Sequence, residues 1–235
     1  MTPSVGQVES LEEIARRVIS CARCPRLRSY CLRVAQERKA AHRSETYWGR
    51  PVPGFGDPRA RLLVVGLAPA AHGANRTGRV FTGDGSGDFL MCAMHNAGFA
   101  SIPTSRAPDD GLELRDAYIA ATVRCAPPDN RPSREEMAAC SEYLDAEFRA
   151  LGRVKAVVAL GRVAFGTARR LLESNGCSFS EPPRFAHGAV ALAKTGPALL
   201  ASYHPSRQNT NTGKLTPAML SEVFLAARRV LEGAR

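Results

Sequence analysis

Four short runs along the chain are almost continuously apolar: residues 61–66, 118–123, 155–161 and 198–203. Runs of this length, apolar at odd and even positions alike, predict strands buried on both faces, as in a parallel sheet. Between and around them the apolar spacing becomes helical. Leu11, Ile14, Val18 and Ile19 form one stripe, and Ser10 with Glu13 fits a capping box. That helix should stop near Cys21–Pro25, and a second, basic helix is predicted from Leu27 to Lys39. Further helices are predicted over 86–96, 133–151 (with Ser133 and Glu136 as a second capping box), 162–174 and 216–233. Residues 47–57, rich in Gly and Pro, read as an ordered loop. Strands alternating with helices imply a parallel sheet with right-handed crossovers. No internal repeat or linker is visible, so one domain over residues 1–235 is expected.

Composition leaves this picture unchanged. With 44% hydrophobic and 23% charged residues the chain is an ordinary globular one, and 235 residues can bury a core without disulfides. Charge adds something. Lys+Arg number 32 against 22 Asp+Glu, a net +10, which points to a polyanionic partner. No run reaches the ~18 apolar residues of a membrane span. The polar start, Met1 to Ser10 with Glu9, lacks the pattern of a signal peptide, so a cytoplasmic protein is expected. The seven cysteines are then better read as ligands or buried thiols than as disulfides.

In such sheets ligands bind beyond the carboxyl ends of the strands. The first strand runs into Gly66-Leu67-Ala68-Pro69-Ala70-Ala71-His72-Gly73 and on through Asn75-Arg76-Thr77-Gly78-Arg79-Val80-Phe81-Thr82-Gly83-Asp84. Small residues there leave backbone amides open to a ligand. The segment fits neither the Walker nor the Gly-x-Gly-x-x-Gly pattern. Asp84 can be a functional carboxylate or simply a helix cap. The fourth strand ends in His204-Pro205-Ser206-Arg207-Gln208, where His204 can reach a site or merely decorate a polar loop. Cys21-x-x-Cys24, with Cys125 and Cys140, offers four thiolates that suit zinc or an iron–sulfur cluster, and spacing does not decide between them. Cys31 is the first spare ligand to consider; Cys92 and Cys177 have no evident partner.

Taken in order, the blocks from Gly66 to Gly73 and Asn75 to Asp84, with Val123-Arg124-Cys125-Ala126-Pro127-Pro128-x-Asn130 and His204-Pro205-Ser206, resemble the uracil-DNA glycosylase superfamily, most closely its family 5. The resemblance implies a three-layer α/β/α sandwich around a central four-stranded parallel sheet. It also implies a structural 4Fe–4S cluster on Cys21, Cys24, Cys125 and Cys140, which would tie the helical segment 1–45 to the sheet. Sister family 4 carries Gly-Glu-Ala-Pro-Gly in the first block; here Leu67 and Ala70 replace the Glu and the last Gly. The first block also lacks the Asp or Asn that activates water in other families.

The implied activity is hydrolysis of the N-glycosidic bond of uracil in DNA after the base is flipped from the helix. Asp84 is expected to orient water or steady the sugar cation, and His204 to donate to the leaving base. Asn130 is expected to place water or contact base or sugar. Phe81 is expected to stack on the base, with Gly66, Ala68 and His72 lining its pocket. Asn75, Arg76, Ser206, Arg207, Gln208 and Leu215 are expected to face DNA. The pocket has no polar reader in the first block, so hypoxanthine and other deaminated or modified bases join uracil as expected substrates. The expected partner is double-stranded DNA, with single-stranded DNA as a second form. A monomer associated with the nucleoid is expected. Two rival readings are a noncatalytic nucleic-acid-binding protein with a structural metal and a zinc-containing nucleotide hydrolase.

Overall fold

A computed structural model describes residues 9–233; the polar start before Glu9 lies outside them. Helix α1 (Leu11–Ile19) opens on the predicted capping box: Ser10 Oγ accepts from the Glu13 N–H at 3.3 Å, and the Glu13 carboxylate accepts from the Ser10 N–H at 2.8 Å. Helix α2 (Pro25–Glu37) starts on a proline, whose missing N–H costs nothing in the first turn. A short strand β1 (Phe55–Gly56) precedes β2 (Leu62–Gly66), the short helix α3 (Ala74–Thr77) and α4 (Gly85–Asn96). Strand β3 (Ala117–Ala121) leads to α5 (Arg134–Leu151), capped by Ser133 and Glu136 and stopped by Gly152 in the left-handed region. Then follow β4 (Ala156–Leu160), α6 (Arg162–Ser174), β5 (Ser178–Phe179), β6 (Val190–Ala191), β7 (Ala193–Thr195) and β8 (Ala198–Ser202). The short α7 (Arg207–Asn211) and α8 (Pro217–Glu232) close the fold.

The sheet runs β1-β3-β2-β4-β8-β6. Strands β3, β2, β4 and β8 are parallel and in register, Val64 beside Ile119 on one side and Val158 on the other. These are the four predicted strands. The sheet is nevertheless six-stranded, because β1 and β6 add antiparallel edges, and β5 pairs with β7 in a separate ribbon. Strands of two or three residues are too short to carry a periodic signal in the sequence.

Alternation sorts the parallel strands onto two cores. Leu62, Val64, Ile119, Val158 and Leu200 face α4 and α8. Leu63, Val65, Ala120, Val157 and Leu199 face α5 and α6. The result is the expected three-layer sandwich. Helix α1 packs on α5 through Ile14, Val18 and Tyr143. One buried ion pair crosses the second face. Arg124, just past β3, and Glu147 on α5 are each 1% exposed, and Arg124 donates to Glu147 Oε1 at 3.0 Å. The same carboxylate accepts the Gly54 N–H at 3.1 Å, fixing the glycine-rich loop to α5. Among the described residues no helix is long and apolar enough to cross a membrane.

Candidate active site

The chain leaves β2 toward β3 on one side and returns to β4 on the other. Opposed connections leave a crevice at the strand ends, where open α/β sheets bind ligands. A cavity of about 500 Å³ lies there. Leu67, Ala68, Pro69 and Ala70, from the turn after β2, form one wall. None carries a polar side chain, so this wall addresses a ligand with backbone groups alone.

Phe81 forms a second wall. Its backbone is left-handed, φ 49°, a state that costs a non-glycine residue about 1–3 kcal/mol and persists only where its surroundings impose it. Two glycines make room for it. A Cβ on Gly66 would lie 2.8 Å from Phe81 Cε2, and one on Gly87 would lie 2.2 Å from the Phe81 carbonyl oxygen. The Phe81 ring faces His204, with centroids 5.9 Å apart and planes at 33°.

His204 follows β8 and enters the same cavity. Burial pushes its pKa down to about 4, so the imidazole is neutral at neutral pH and keeps one N–H to donate. Asp84 caps α4. Its Oδ1 accepts from the Ser86 N–H at 2.9 Å and the Gly87 N–H at 3.0 Å. Among the described residues its Oδ2 has no hydrogen-bond donor, and it points past Gly73, where a Cβ would come within 2.2 Å of it. Burial raises the Asp84 pKa; the two N–H groups and the Arg207 charge oppose that rise. The helix-cap role and a free carboxylate oxygen thus coexist in one side chain.

Asn130 sits on the rim after a turn in which Asp129 (φ 54°) and Asn130 (φ 55°) are both left-handed, a conformation Asn and Asp tolerate better than most residues. Arg131 beside it, and Ser206, Arg207 and Gln208 at the start of α7, complete the rim. Arg131, Arg207 and Asp129 stand at the opening, and the Asp84 carboxylate lies inside. Ser86, Asp129 and Arg131 also line the cavity, and no sequence feature singles out Ser86 or Asp129 as a site residue. Arg131 was findable, as it follows Asn130 directly in the loop beyond a strand end. A larger groove of about 890 Å³ runs between α5 and α6 and shares no lining residue with this cavity.

The structure brings together Asp84, His204, Asn130, Ala68, Phe81, Ser206, Arg207 and Gln208. Gly66 stands behind Phe81 rather than in the wall. Other expected positions are corrected. His72 stands outside the cavity, exposed, with Nδ1 3.1 Å from the Tyr47 hydroxyl. Asn75 is 1% exposed, and its Nδ2 donates to the carbonyls of Cys31 and Ala71; it cannot face DNA. Arg76 is nearly buried, donates to the carbonyls of His72 and Gly83, and is paired with Glu45. Leu215 is 1% exposed in the core, so it does not face DNA in this conformation. The motif marks these residues, but it cannot tell which side of a turn each side chain takes.

Of the cysteines, Cys24 packs with Cys31 and Cys125, and Cys21 packs in the neighbouring cluster with Cys140. The Arg124 N–H points to Cys140 Sγ at 3.3 Å. Cys31 is fully buried, with Sγ 3.6 Å from the Ala126 carbonyl oxygen. Among the described residues no three His, Cys, Asp or Glu are gathered closely enough to hold a single metal ion.

The sequence profile of the uracil DNA glycosylase superfamily matches residues 53–228. The chain belongs to that superfamily. The matched span holds the whole sheet and the cavity. Proteins named Type-5 uracil-DNA glycosylase are similar over almost the full length. The one from Mycobacterium leprae is 48% identical over 226 residues, covering 96% of this chain and 97% of that protein. The one from Thermus thermophilus is 50% identical over 219 residues, covering 93% and 97%. A protein named Type-4 uracil-DNA glycosylase from Archaeoglobus fulgidus is 32% identical over 158 residues, covering 67% of this chain and 62% of that protein. In this superfamily member, then, the strand-end cavity combines an apolar backbone wall, an aromatic ring, a neutral imidazole and one free carboxylate oxygen.

Proposed function

We propose that the chain is a DNA glycosylase that hydrolyses the N-glycosidic bond of uracil in duplex DNA. The observation that carries this reading is the convergence of Phe81, His204 and Asp84 on one cavity at the sheet's switch point. The names of the relatives that match nearly end to end agree with it.

The reaction leaves an anionic base and an oxocarbenium-like sugar. A flipped uracil stacks on Phe81. As the bond from N1 to C1′ breaks, its electron pair leaves with the base, and the His204 N–H donates to the charge gathering at O2. A neutral donor suits this task, because the pKa of about 4 leaves His204 uncharged but still able to hydrogen-bond. Water adds to C1′, oriented by the free Oδ2 of Asp84, whose negative charge also steadies the sugar cation. The products are an abasic site and the free base, which takes up the proton. Arg131 and Arg207 on the rim and the net charge of +10 hold phosphates, so binding weakens as salt rises.

The wall of Leu67 to Ala70 reads a base only through its backbone. That supports a wider substrate set, with hypoxanthine and other deaminated bases beside uracil. Cys21, Cys24, Cys125 and Cys140 would hold a 4Fe–4S cluster. The fit rests on their adjacent packing, which joins the α1–α2 turn to the end of β3 and to α5, and on the backbone N–H aimed at Cys140 Sγ. A cubane spreads its thiolates over separate irons, so it takes a wider ligand set than a single ion. The cluster would supply a structural pin between these elements. Iron and sulfide analysis of purified protein tests it; zinc in their place would sink it. A panel of duplexes carrying uracil, hypoxanthine or normal bases, scored for abasic sites, tests the activity and its breadth.

A further inference from the structure

The loop that carries Phe81 and Asp84 is gripped from behind by a side chain that never reaches the cavity. Arg79 is 7% exposed. Its Nε donates to Thr82 Oγ1 at 2.8 Å, one terminal nitrogen donates to the Pro108 carbonyl at 3.1 Å, and the other donates to Ser105 Oγ at 3.1 Å and to both Asp110 oxygens at 2.8 Å. The hydroxyls of Thr82 and Ser105 are 2.7 Å apart, and the Gly83 N–H donates to the Ser105 carbonyl at 2.8 Å. Phe55 covers the guanidinium with its ring centroid 5.0 Å away.

Thr82 and Gly83 are the two residues between Phe81 and Asp84. Both are therefore bolted to the segment 105–110. That segment is fixed in turn to the start of α4, where the Ser105 N–H donates to Asp88 Oδ1 at 2.8 Å. From the other side Arg76 donates to the Gly83 carbonyl at 2.7 Å. Asp110 is set for the task. Burial would raise its pKa, but Arg79 and the N–H groups of Leu112, Arg106 and Ala107 outweigh this and bring it to about 2. It stays a carboxylate at any working pH. The left-handed Phe81 supplies the reason for so much restraint, since a strained residue keeps its geometry only while its neighbours impose it.

We propose that Arg79, anchored by Asp110 and Ser105, is a positioning residue that holds Phe81 and Asp84 in place for base release without touching DNA. This rests on the glycosylase reading above. Lysine at position 79 would keep a charge for Asp110 but cannot span Thr82, Ser105, Pro108 and Asp110 at once.

The test is single-turnover uracil release at saturating enzyme, with duplex affinity and melting temperature measured on the same proteins. Arg79→Lys should slow release about 10- to 100-fold, the scale of a reacting group displaced by about 1 Å. Duplex affinity should stay near wild type, while the melting temperature falls a few degrees, because Lys leaves some of these buried acceptors unpaired. Deleting one charge here endangers folding, so a second variant is needed: the double replacement Arg79→Met with Asp110→Asn removes the charge pair while Asn keeps an acceptor for the N–H groups of Arg106, Ala107 and Leu112, and it should be slowed to the same degree. In an Asp84→Ala or Phe81→Ala background, Arg79→Lys should cost much less than in the wild type, since its effect passes through those residues. Full-speed Arg79→Lys would overturn the proposal, and so would losses that multiply in both backgrounds or that only track melting. If Asp84→Ala is silent, the assigned role of Asp84 falls, and the Phe81→Ala background alone decides. A wild type that releases no uracil would end both readings; an active wild type with an equally fast Arg79→Lys would end this one alone.

Discussion

The proposed function gives Asp84 a second task beside its helix cap, and two substitutions separate the two. Its Oδ1 caps α4 by accepting from Ser86 and Gly87, while its Oδ2 is left for chemistry. Asn caps about as well as Asp, so Asp84→Asn should leave the helix start intact, whereas Asp84→Ala forfeits a cap worth about 0.5–2 kcal/mol. For a chain of this size 1 kcal/mol corresponds to roughly 2–4 °C in melting temperature. Burial already opposes the Asp84 charge, so neutralising it to Asn also relieves a desolvation cost and works in favour of stability. The Ala variant should therefore melt a few degrees lower on that scale, and the Asn variant close to wild type. Activity should divide differently. Both variants lose the carboxylate that the proposed mechanism uses to orient water, an effect of about 10²–10⁴-fold, so both should be slowed alike. The assay is single-turnover release from a uracil duplex, run beside thermal melts. An Asp84→Asn protein with the wild-type rate would reduce Asp84 to a helix cap and remove it from the chemistry.

Other expectations follow from the same geometry. The folded pKa of His204 is depressed from 6.5 to about 4, so the unfolded chain binds the extra proton first; stability present above pH 6.5 should fall away toward pH 4, and denaturation curves of His204→Gln should show less of that fall. The raised pKa of Asp84 places the acid limb of the rate profile above the usual aspartate value, and a limb at or below that value would count against Asp84 as the ionised group. Gly66→Ala would drive a Cβ to 2.8 Å from Phe81; overpacking of this kind costs about 1–3 kcal/mol, and a shifted ring should slow base release more than it weakens duplex binding. Glu147→Gln strands the Arg124 guanidinium without its counter-charge in the core, at about 3–5 kcal/mol, readable by urea denaturation.

The four parallel strands were legible because each is apolar on both faces, and the helices because their stripes and capping boxes agree. The edge strands were not, since Phe55–Gly56 and Val190–Ala191 become strands only by lying beside β3 and β8. At the site, Asp84 and His204 stood out because they follow strand ends, whereas Phe81 and Asn130 were marked by the family resemblance. Side-chain direction was invisible. Asn75, Arg76 and Leu215 sit in the same motifs yet turn inward, where hydrogen bonds and core packing hold them. Arg79 and Arg124 were missed for a related reason: a buried, paired arginine looks in sequence like any arginine on the surface of a basic protein.

Strand scission puts the glycosylase reading to its plainest trial. A duplex bearing one uracil is incubated with excess purified protein, treated with alkali, and resolved for breaks at that position. Breaks are expected at the uracil, none in the matching thymine duplex, and severe slowing when Asp84→Ala and His204→Ala are combined. An intact uracil duplex after treatment with folded wild-type protein, or a double variant as fast as wild type, would overturn that reading.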